Sequence, residues 1–514
     1  MSRNQKNNGR RDFLKGTALA TGALVTQSWR SENTISQKED LPLRNEENAS
    51  YLAFFDPVEG PVPNPGMGVS GYVYSDHMYK AFSNEERNRV IKLPPLELDR
   101  QSFERFVNLP CIDNLYIRYD WKDVQKQRGK LFIPDAWKWL LEASEKTGKR
   151  WSFRVMNCNK ESMTPNSLPD FLQGKLKMVS YWNGTDSRGP ETKYFPEYSE
   201  DYLNYWGELV AMLGEEFDNH PLLEYADISG YGFWGEMHHF AQYKPNELQK
   251  NYQPGIPEQV EAIIDRLIKD HLKAFPKTPA VLNLHAAEYK AGIRAFEEGL
   301  CWPRRDSFEW GFSTTEVRVA QGLMPGSAMV WEVLRPGMTF SKDSEIKPDS
   351  LFPIPQRYFD ISANYASMGF NPWDAIWASE NCQSIYQLLQ QKIGYRLRPS
   401  IVWHRKLHNK TEIALGLRND GCVAPPGQIT IEALFENGKK AELKLPLGEP
   451  APGAMKIYTL PFHGDISDFE SEKKVELTMK LQMKGKSAPV QWAVKNSLSD
   501  NNLSLKIPLK TYTF

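Results

Sequence analysis

The feature that most constrains this chain is an alternation of periods. From residue 64 onward, short apolar runs of strand character alternate with amphipathic stretches of helical repeat. Strands are expected at 68–74, 114–119, 150–156, 222–229, 280–285, 307–312, 328–333 and 367–373. Helices are expected at 136–147, 202–217, 260–275 and 355–366, the second with Leu203, Trp206, Leu209, Val210 and Leu213 on one face. Eight strands alternating with helices predict a (β/α)8 barrel, which takes about 250 residues plus insertions. An open doubly wound sheet would carry a glycine-rich phosphate turn after its first strand, and this chain has none there.

After about residue 393 the helical period stops. Short runs at 400–403, 412–417, 428–434, 440–445, 456–460, 475–483 and 490–494 are separated by Gly, Pro, Asn and Asp. That spacing predicts an antiparallel β-sandwich, with 421–427 as a turn in which Pro425 and Pro426 remove ladder donors. The expected division is a barrel over 51–392, bearing the chemistry, and an accessory sandwich over 393–514. With 63 basic and 64 acidic residues, the net charge of -1 gives no overall basic field to hold nucleic acid or an anionic membrane. The five cysteines are far apart with no CxxC pair, which argues against a zinc ribbon and a disulfide scaffold.

The N-terminus reads as an address. Arg10-Arg11-Asp12-Phe13-Leu14-Lys15 precedes a modest apolar run over 16–25. This resembles a twin-arginine export signal, and the run is shorter than the roughly 20 residues a membrane span needs. The expectation is a signal over 1–27, a polar linker over 28–50 and a working place in the periplasm or outside the cell.

In a barrel, chemistry sits on the loops at the C-terminal ends of the strands. The fourth expected strand runs into Gly230-Tyr231-Gly232-Phe233-Trp234-Gly235-Glu236-Met237-His238, where three glycines in six residues permit a tight turn. The seventh is apolar through Ala328, Met329, Val330 and Trp331 and then reaches Glu332. A carboxylate ending an apolar barrel strand has no packing reason to be there; an ion pair with an inward Arg competes with catalysis as its explanation. Together, Glu236 and Glu332 can flank a glycosidic bond, one donating a proton to the leaving oxygen and the other attacking the anomeric carbon. Asp227, on the strand itself, competes with Glu236 as the acid. Arg118, Tyr119, Arg305 and His238 are candidates for substrate contact or for tuning the two carboxylates. Trp121, Trp182, Trp234 and Trp331 fall at strand ends or in the following loops, where an indole face can stack on a sugar ring.

The pair of carboxylates, with Tyr116-Ile117-Arg118-Tyr119-Asp120-Trp121 and Gly129-Lys130-Leu131-Phe132, resembles the clan-A glycoside hydrolases. That resemblance implies a general acid/base Glu after strand four and a nucleophilic Glu after strand seven. The chain departs from the clan where Gly235 stands in place of the Asn that many members carry before the acid/base. More closely, the chain looks like a family of exported bacterial proteins of unestablished activity. The likeness rests on Asn64-Pro65-Gly66, Arg154-Val155-Met156, Gly232 through His238, Arg305-Asp306-Ser307 and the turn from Gly421 to Pro426.

The sequence therefore predicts a glycoside hydrolase, retaining in outcome, with a carbohydrate substrate and no cofactor. A non-catalytic carbohydrate-binding protein is the first alternative. A metal-dependent hydrolase is the second, with Glu236, His238 and His239 helped by Asp227, His77 and His285; it lacks the i, i+4 His spacing of helical zinc motifs.

Overall fold

A computed structural model describes residues 51–74, 100–158, 168–186, 189–237, 257–306, 314–332, 353–367, 379–380, 383–407, 410–436, 438–460, 473–495 and 503–509. The export signal and linker expected over 1–50 lie outside these residues.

A short strand, β1 (Tyr51–Phe54), precedes the barrel strands β2 (Gly68–Tyr74), β3 (Asn114–Asp120) and β4 (Arg150–Met156). A hairpin of β5 (Met178–Asp186) and β6 (Gly189–Pro196) follows, and then the barrel resumes with β7 (Leu223–Asp227), β8 (Ala280–Asn283), β9 (Trp302–Arg305), β10 (Val330–Glu332) and β11 (Tyr365–Ser367). All eight barrel strands pair in parallel, and β11 closes on β2 through Tyr365 opposite Gly68 and Ala366 opposite Val69. The chain is thus a (β/α)8 barrel.

Helices pack outside because their apolar faces match the outer face of the strands. In the helix Glu200–Phe217, Tyr202, Trp206, Leu209, Val210 and Leu213 are buried, and the Ser199 hydroxyl caps the first turn by accepting from the Tyr202 amide. Gly214 lets this helix meet the helix Pro257–Ala274 closely: a Cβ there would lie 2.3 Å from the Ala274 carbonyl oxygen. Trp137, Trp151, Phe153 and Phe217 form one aromatic cluster between the strands and the helix layer, with Trp137 stacked on Phe217 at 5.5 Å. Burying each such ring is worth about 1.5–3 kcal/mol.

The sixth barrel strand is Trp302–Arg305 and the eighth is Tyr365–Ser367; the runs expected at 307–312 and, beyond Ser367, at 368–373 lie outside the described residues. Trp302-Pro303-Arg304-Arg305 does not read as an apolar strand, because this barrel fills part of its interior with charge and the inward side chain is Arg304. The interior also takes Tyr72, Tyr116, Tyr225 and Tyr365 in place of the branched aliphatic residues usual in such barrels.

The C-terminal part is a β-sandwich. One sheet has the order β1-β12-β13-β16, with β12 (Leu397–Leu407), β13 (Lys410–Asn419) and β16 (Met455–Leu460). The other runs β15-β14-β17-β18, with β14 (Gln428–Phe435), β15 (Lys440–Lys444), β17 (Lys473–Met483) and β18 (Lys486–Val490), and β19 (Ser504–Leu509) pairs with β17. β1 pairs antiparallel with β12, so residues 51–54 belong to the sandwich rather than to the barrel. The run expected at 490–494 is not a strand: β18 ends at Val490, and the chain then bonds back through Ala493 to Leu397.

Candidate active site

Glu332 ends β10 and shares its inward face with Val330, while Trp331 between them points the other way. Its Oε2 accepts from Tyr72 Oη on β2 at 3.2 Å, from Arg118 Nη2 on β3 at 3.1 Å and, in very short contact, from Arg304 Nη2 on β9. Among the described residues no donor reaches its Oε1.

Glu236 comes from the loop after β7, which is pinned at several points. Tyr202 Oη donates to the Gly230 carbonyl at 2.7 Å, the Gly232 amide donates to Tyr198 Oη at 3.0 Å, and the Trp234 amide donates to the Cys158 carbonyl at 2.7 Å. Three residues flanking the carboxylate leave ordinary backbone space: Trp234 at φ 53°, Gly235 at φ 73° and, after Glu236, Met237 at φ 60°. Left-handed backbone at a non-glycine residue costs roughly 1–2 kcal/mol. The loop bears that cost twice to aim one side chain inward. Glu236 Oε1 then accepts from Arg154 Nη2 at 2.8 Å, Arg118 Nη2 at 3.0 Å and Arg304 Nη1 at 3.2 Å.

Asp227 ends β7 itself. Its Oδ2 takes a very short hydrogen bond from Tyr116 Oη and lies 3.6 Å from both Arg154 Nη1 and Arg304 Nε. Its Oδ1 is buried with no hydrogen-bond partner among the described residues. Three guanidinium groups therefore face three carboxyl groups. Arg118 also lies over the faces of Tyr116 and Tyr72, 5.1 and 5.2 Å from the ring centres.

The cluster is buried: Glu236 is 4% exposed, Glu332 1%, and Arg154 and Arg304 0%. Burial pushes Asp227 up to about 6, against the opposing pull of Arg304, the Tyr116 hydrogen bond and Arg118. For Arg304, burial alone would lower the pKa, but Tyr116, Glu236 and Asp227 outweigh it and hold the group charged.

Each glutamate thus has one oxygen committed to guanidinium groups. Glu236 Oε1 and Glu332 Oε2 each touch the same Arg118 nitrogen, at 3.0 and 3.1 Å.

The other expected site residues are scattered. Arg118 joins the two glutamates. Tyr119 and Trp121 lie in the helix layer instead: Tyr119 stacks on Trp137 at 5.5 Å, and Trp121 is fully buried, edge-on to Trp206 at 5.0 Å. Alternation along β3 explains Tyr119, because Arg118 and Asp120 take the inward direction. Trp331 is buried on the outward face of β10, and Trp234 is partly buried in the loop that carries Glu236. Arg305 turns away from the pair, donating from Nη1 to Asp306 Oδ1 at 3.0 Å and pairing through Nε with Glu316 at 3.1 Å; His285 Nε2 lies 3.3 Å from the same Nη1. His285 is therefore in a separate cluster, apart from Glu236. His77, His238, His239 and the side chain of Trp182 lie outside the described residues. Among the described residues no group of three His, Cys, Asp or Glu side chains could hold a metal ion.

Arg304 and Tyr72 were the residues missed. Arg304 lies before the strand expected at 307–312, and the signal for it was the Arg304-Arg305 pair itself: on a strand, only one of two neighbours can face the interior.

No family model matches the chain, and no curated protein matches it in sequence. Among solved structures it is similar to the catalytic domain of a β-amylase from Paenibacillus polymyxa, with 10% identity, a TM-score of 0.41, and coverage of 62% of this chain and 99% of that one. It is similar to a broad-specificity endoglucanase from an uncultured bacterium, at 10% identity and a TM-score of 0.39, over 66% and 96% of the two chains. It is also similar to endo-glycoceramidase II from a Rhodococcus species, at 9% identity and a TM-score of 0.35, over 80% and 100%. Likenesses this distant carry no argument about chemistry.

Proposed function

We propose that the barrel hydrolyses a glycosidic bond with retention, with Glu332 as nucleophile and Glu236 as general acid/base. The observation that carries this reading is the single Arg118 nitrogen shared by the two carboxylates, which brings a strand-end Glu and a loop Glu to one place in the barrel, as a double displacement requires. Glu332 Oε1 attacks the anomeric carbon while Oε2 stays anchored by Tyr72, Arg118 and Arg304. The bond to the leaving oxygen breaks with its electron pair, and that oxygen takes the proton from Glu236. Because Oε1 of Glu236 is occupied by three guanidinium groups, the proton travels on Oε2. Water then attacks the same carbon, gives a proton back to Glu236, and releases the sugar from Glu332.

The test is a panel of aryl glycosides and polysaccharides. Glu332→Gln should cut turnover on the order of 10³-fold or more on any substrate that the native protein cleaves. The first sugar released should keep its anomeric configuration by proton NMR. Identical traces for the two proteins on every substrate would overturn the reading. One observation favours a second reading, non-catalytic carbohydrate binding: both carboxylates are nearly inaccessible under guanidinium groups. Glycan binding that survives Glu332→Gln, with no cleavage by either protein, would select it. The Arg10-Arg11 segment further supports work outside the cytoplasm; cell fractionation after changing both residues to Lys tests that placement.

A further inference from the structure

We propose that Asp227 is a positioning residue of this site, whose charge sets how strongly the guanidinium layer grips Glu236 and thereby how readily Glu236 holds a proton. This rests on the reading of Glu236 as general acid/base.

The geometry is that of two shared forks. Arg154 presents Nη1 to Asp227 at 3.6 Å and Nη2 to Glu236 at 2.8 Å. Arg304 presents Nε to Asp227 at 3.6 Å, Nη1 to Glu236 at 3.2 Å and Nη2 to Glu332. Neither 3.6 Å approach is a hydrogen bond, so Asp227 acts on these two forks through its charge. With Asp227 ionised, three cations face three anions. When Asp227 takes up a proton, the same three cations act on two anions, and Glu236 feels a larger share of their field. The harder grip favours the ionised form, so Glu236 holds a proton less readily.

The groups that face Asp227 are Tyr116 and Arg118 from β3, Arg154 from β4, Arg304 from β9, Glu236 from the following loop and His271 from the helix Pro257–Ala274. Tyr225 neighbours it along its own strand. Burial dominates, and it brings the Asp227 titration to about 6, with the charge on Glu236 adding to the rise. The charge on Glu236 therefore acts on the Asp227 titration, and an interaction of this kind is reciprocal.

That reciprocity supplies a test in the resting full-length protein, with no substrate. Infrared spectra followed across pH should show a protonated carboxyl with a midpoint of about 6 that Asp227→Asn removes. Asp113, a separate buried carboxyl also pushed up to about 6, should leave its own band in place. In Glu236→Gln the Asp227 midpoint should fall by roughly half to one pH unit, because a like charge is gone and the freed guanidinium field falls on Asp227. An unmoved midpoint in Glu236→Gln would overturn the proposal, and this variant leaves Asp227 itself intact. Turnover gives the second readout: Asp227→Asn should move the alkaline limb of kcat/KM to lower pH, and Asp227→Glu should restore it. A profile lowered evenly with the limb in place would mean a merely structural role and would also overturn the proposal. Failure of the native protein to cleave any glycoside would instead refute the hydrolase reading, while the infrared shift still decides whether Asp227 and Glu236 are coupled.

Discussion

At the scale of single residues, the site turns on charge compensation. Arg304 is fully buried and, among the described residues, is the one side chain in contact with Asp227, Glu236 and Glu332 at once. Replacing it with Met keeps much of the volume and leaves three buried carboxyl groups with two cations. Breaking a buried ion pair from one side costs about 3–5 kcal/mol, because the remaining charge is stranded. Arg304→Met should therefore lower the urea midpoint by an amount of that order. Adding Glu332→Gln to it should recover part of the loss, since one stranded charge is then gone. Strictly additive effects in this double-mutant cycle would show that the two groups are not coupled. Glu332 was legible in the sequence because a carboxylate closing an apolar strand conflicts with burial. Arg304 was not, because a Pro and two Arg erase the apolar pattern that marks a strand, and only the barrel's register shows which Arg turns inward.

At the scale of elements, the loop from Gly230 to Met237 converts sequence into aim. Its three glycines were readable as a tight turn, but the two left-handed non-glycine residues beside Glu236 were not, since nothing in Trp or Met announces that conformation. Gly235 separates two effects that glycine can have. Its φ of 73° is left-handed, and a Cβ there would lie 2.5 Å from Ser229 Cβ, whose hydroxyl is fixed to the Val155 carbonyl. Gly174 has nearly the same φ, 74°, with nothing within 4 Å of a Cβ. Gly174→Ala should cost about 1 kcal/mol, the backbone term alone. Gly235→Ala should cost more, about 2–4 kcal/mol, and should lower kcat/KM about 10²-fold by moving Glu236 off Arg154. Equal melting temperatures for the two variants would mean that the close approach at Ser229 contributes nothing.

At the scale of the whole molecule, the sandwich is bound to the N-terminal ends of the barrel strands, away from the carboxylates. The change of texture near residue 393 located the second fold, but composition could not show how far the two folds share their seams. Asn64 exchanges hydrogen bonds with Gln491, its Oδ1 accepting from the Gln491 amide at 2.7 Å, while the Pro65 carbonyl accepts from Tyr395 Oη at 2.8 Å. A Cβ on Gly66 would meet Pro426 at 2.4 Å, which explains why Asn64-Pro65-Gly66 and the 421–427 turn occur in one chain: they are two halves of one junction. Lys486, opening β18, crosses to the barrel and donates to the His220 carbonyl at 2.9 Å and to Thr278 Oγ1 at 2.8 Å. β1 adds a covalent tie, since the chain must pass through the sandwich before it enters the barrel. Two folds fastened in this way should unfold as one. Calorimetry on a chain beginning at residue 51 should give a single transition whose calorimetric and van't Hoff enthalpies agree. Lys486→Met should lower that one transition by the cost of stranded carbonyls, about 1–3 kcal/mol, rather than split it. Two resolved transitions, with only the sandwich one moved by Lys486→Met, would show instead that the barrel stands without its partner and that the junction is a tether.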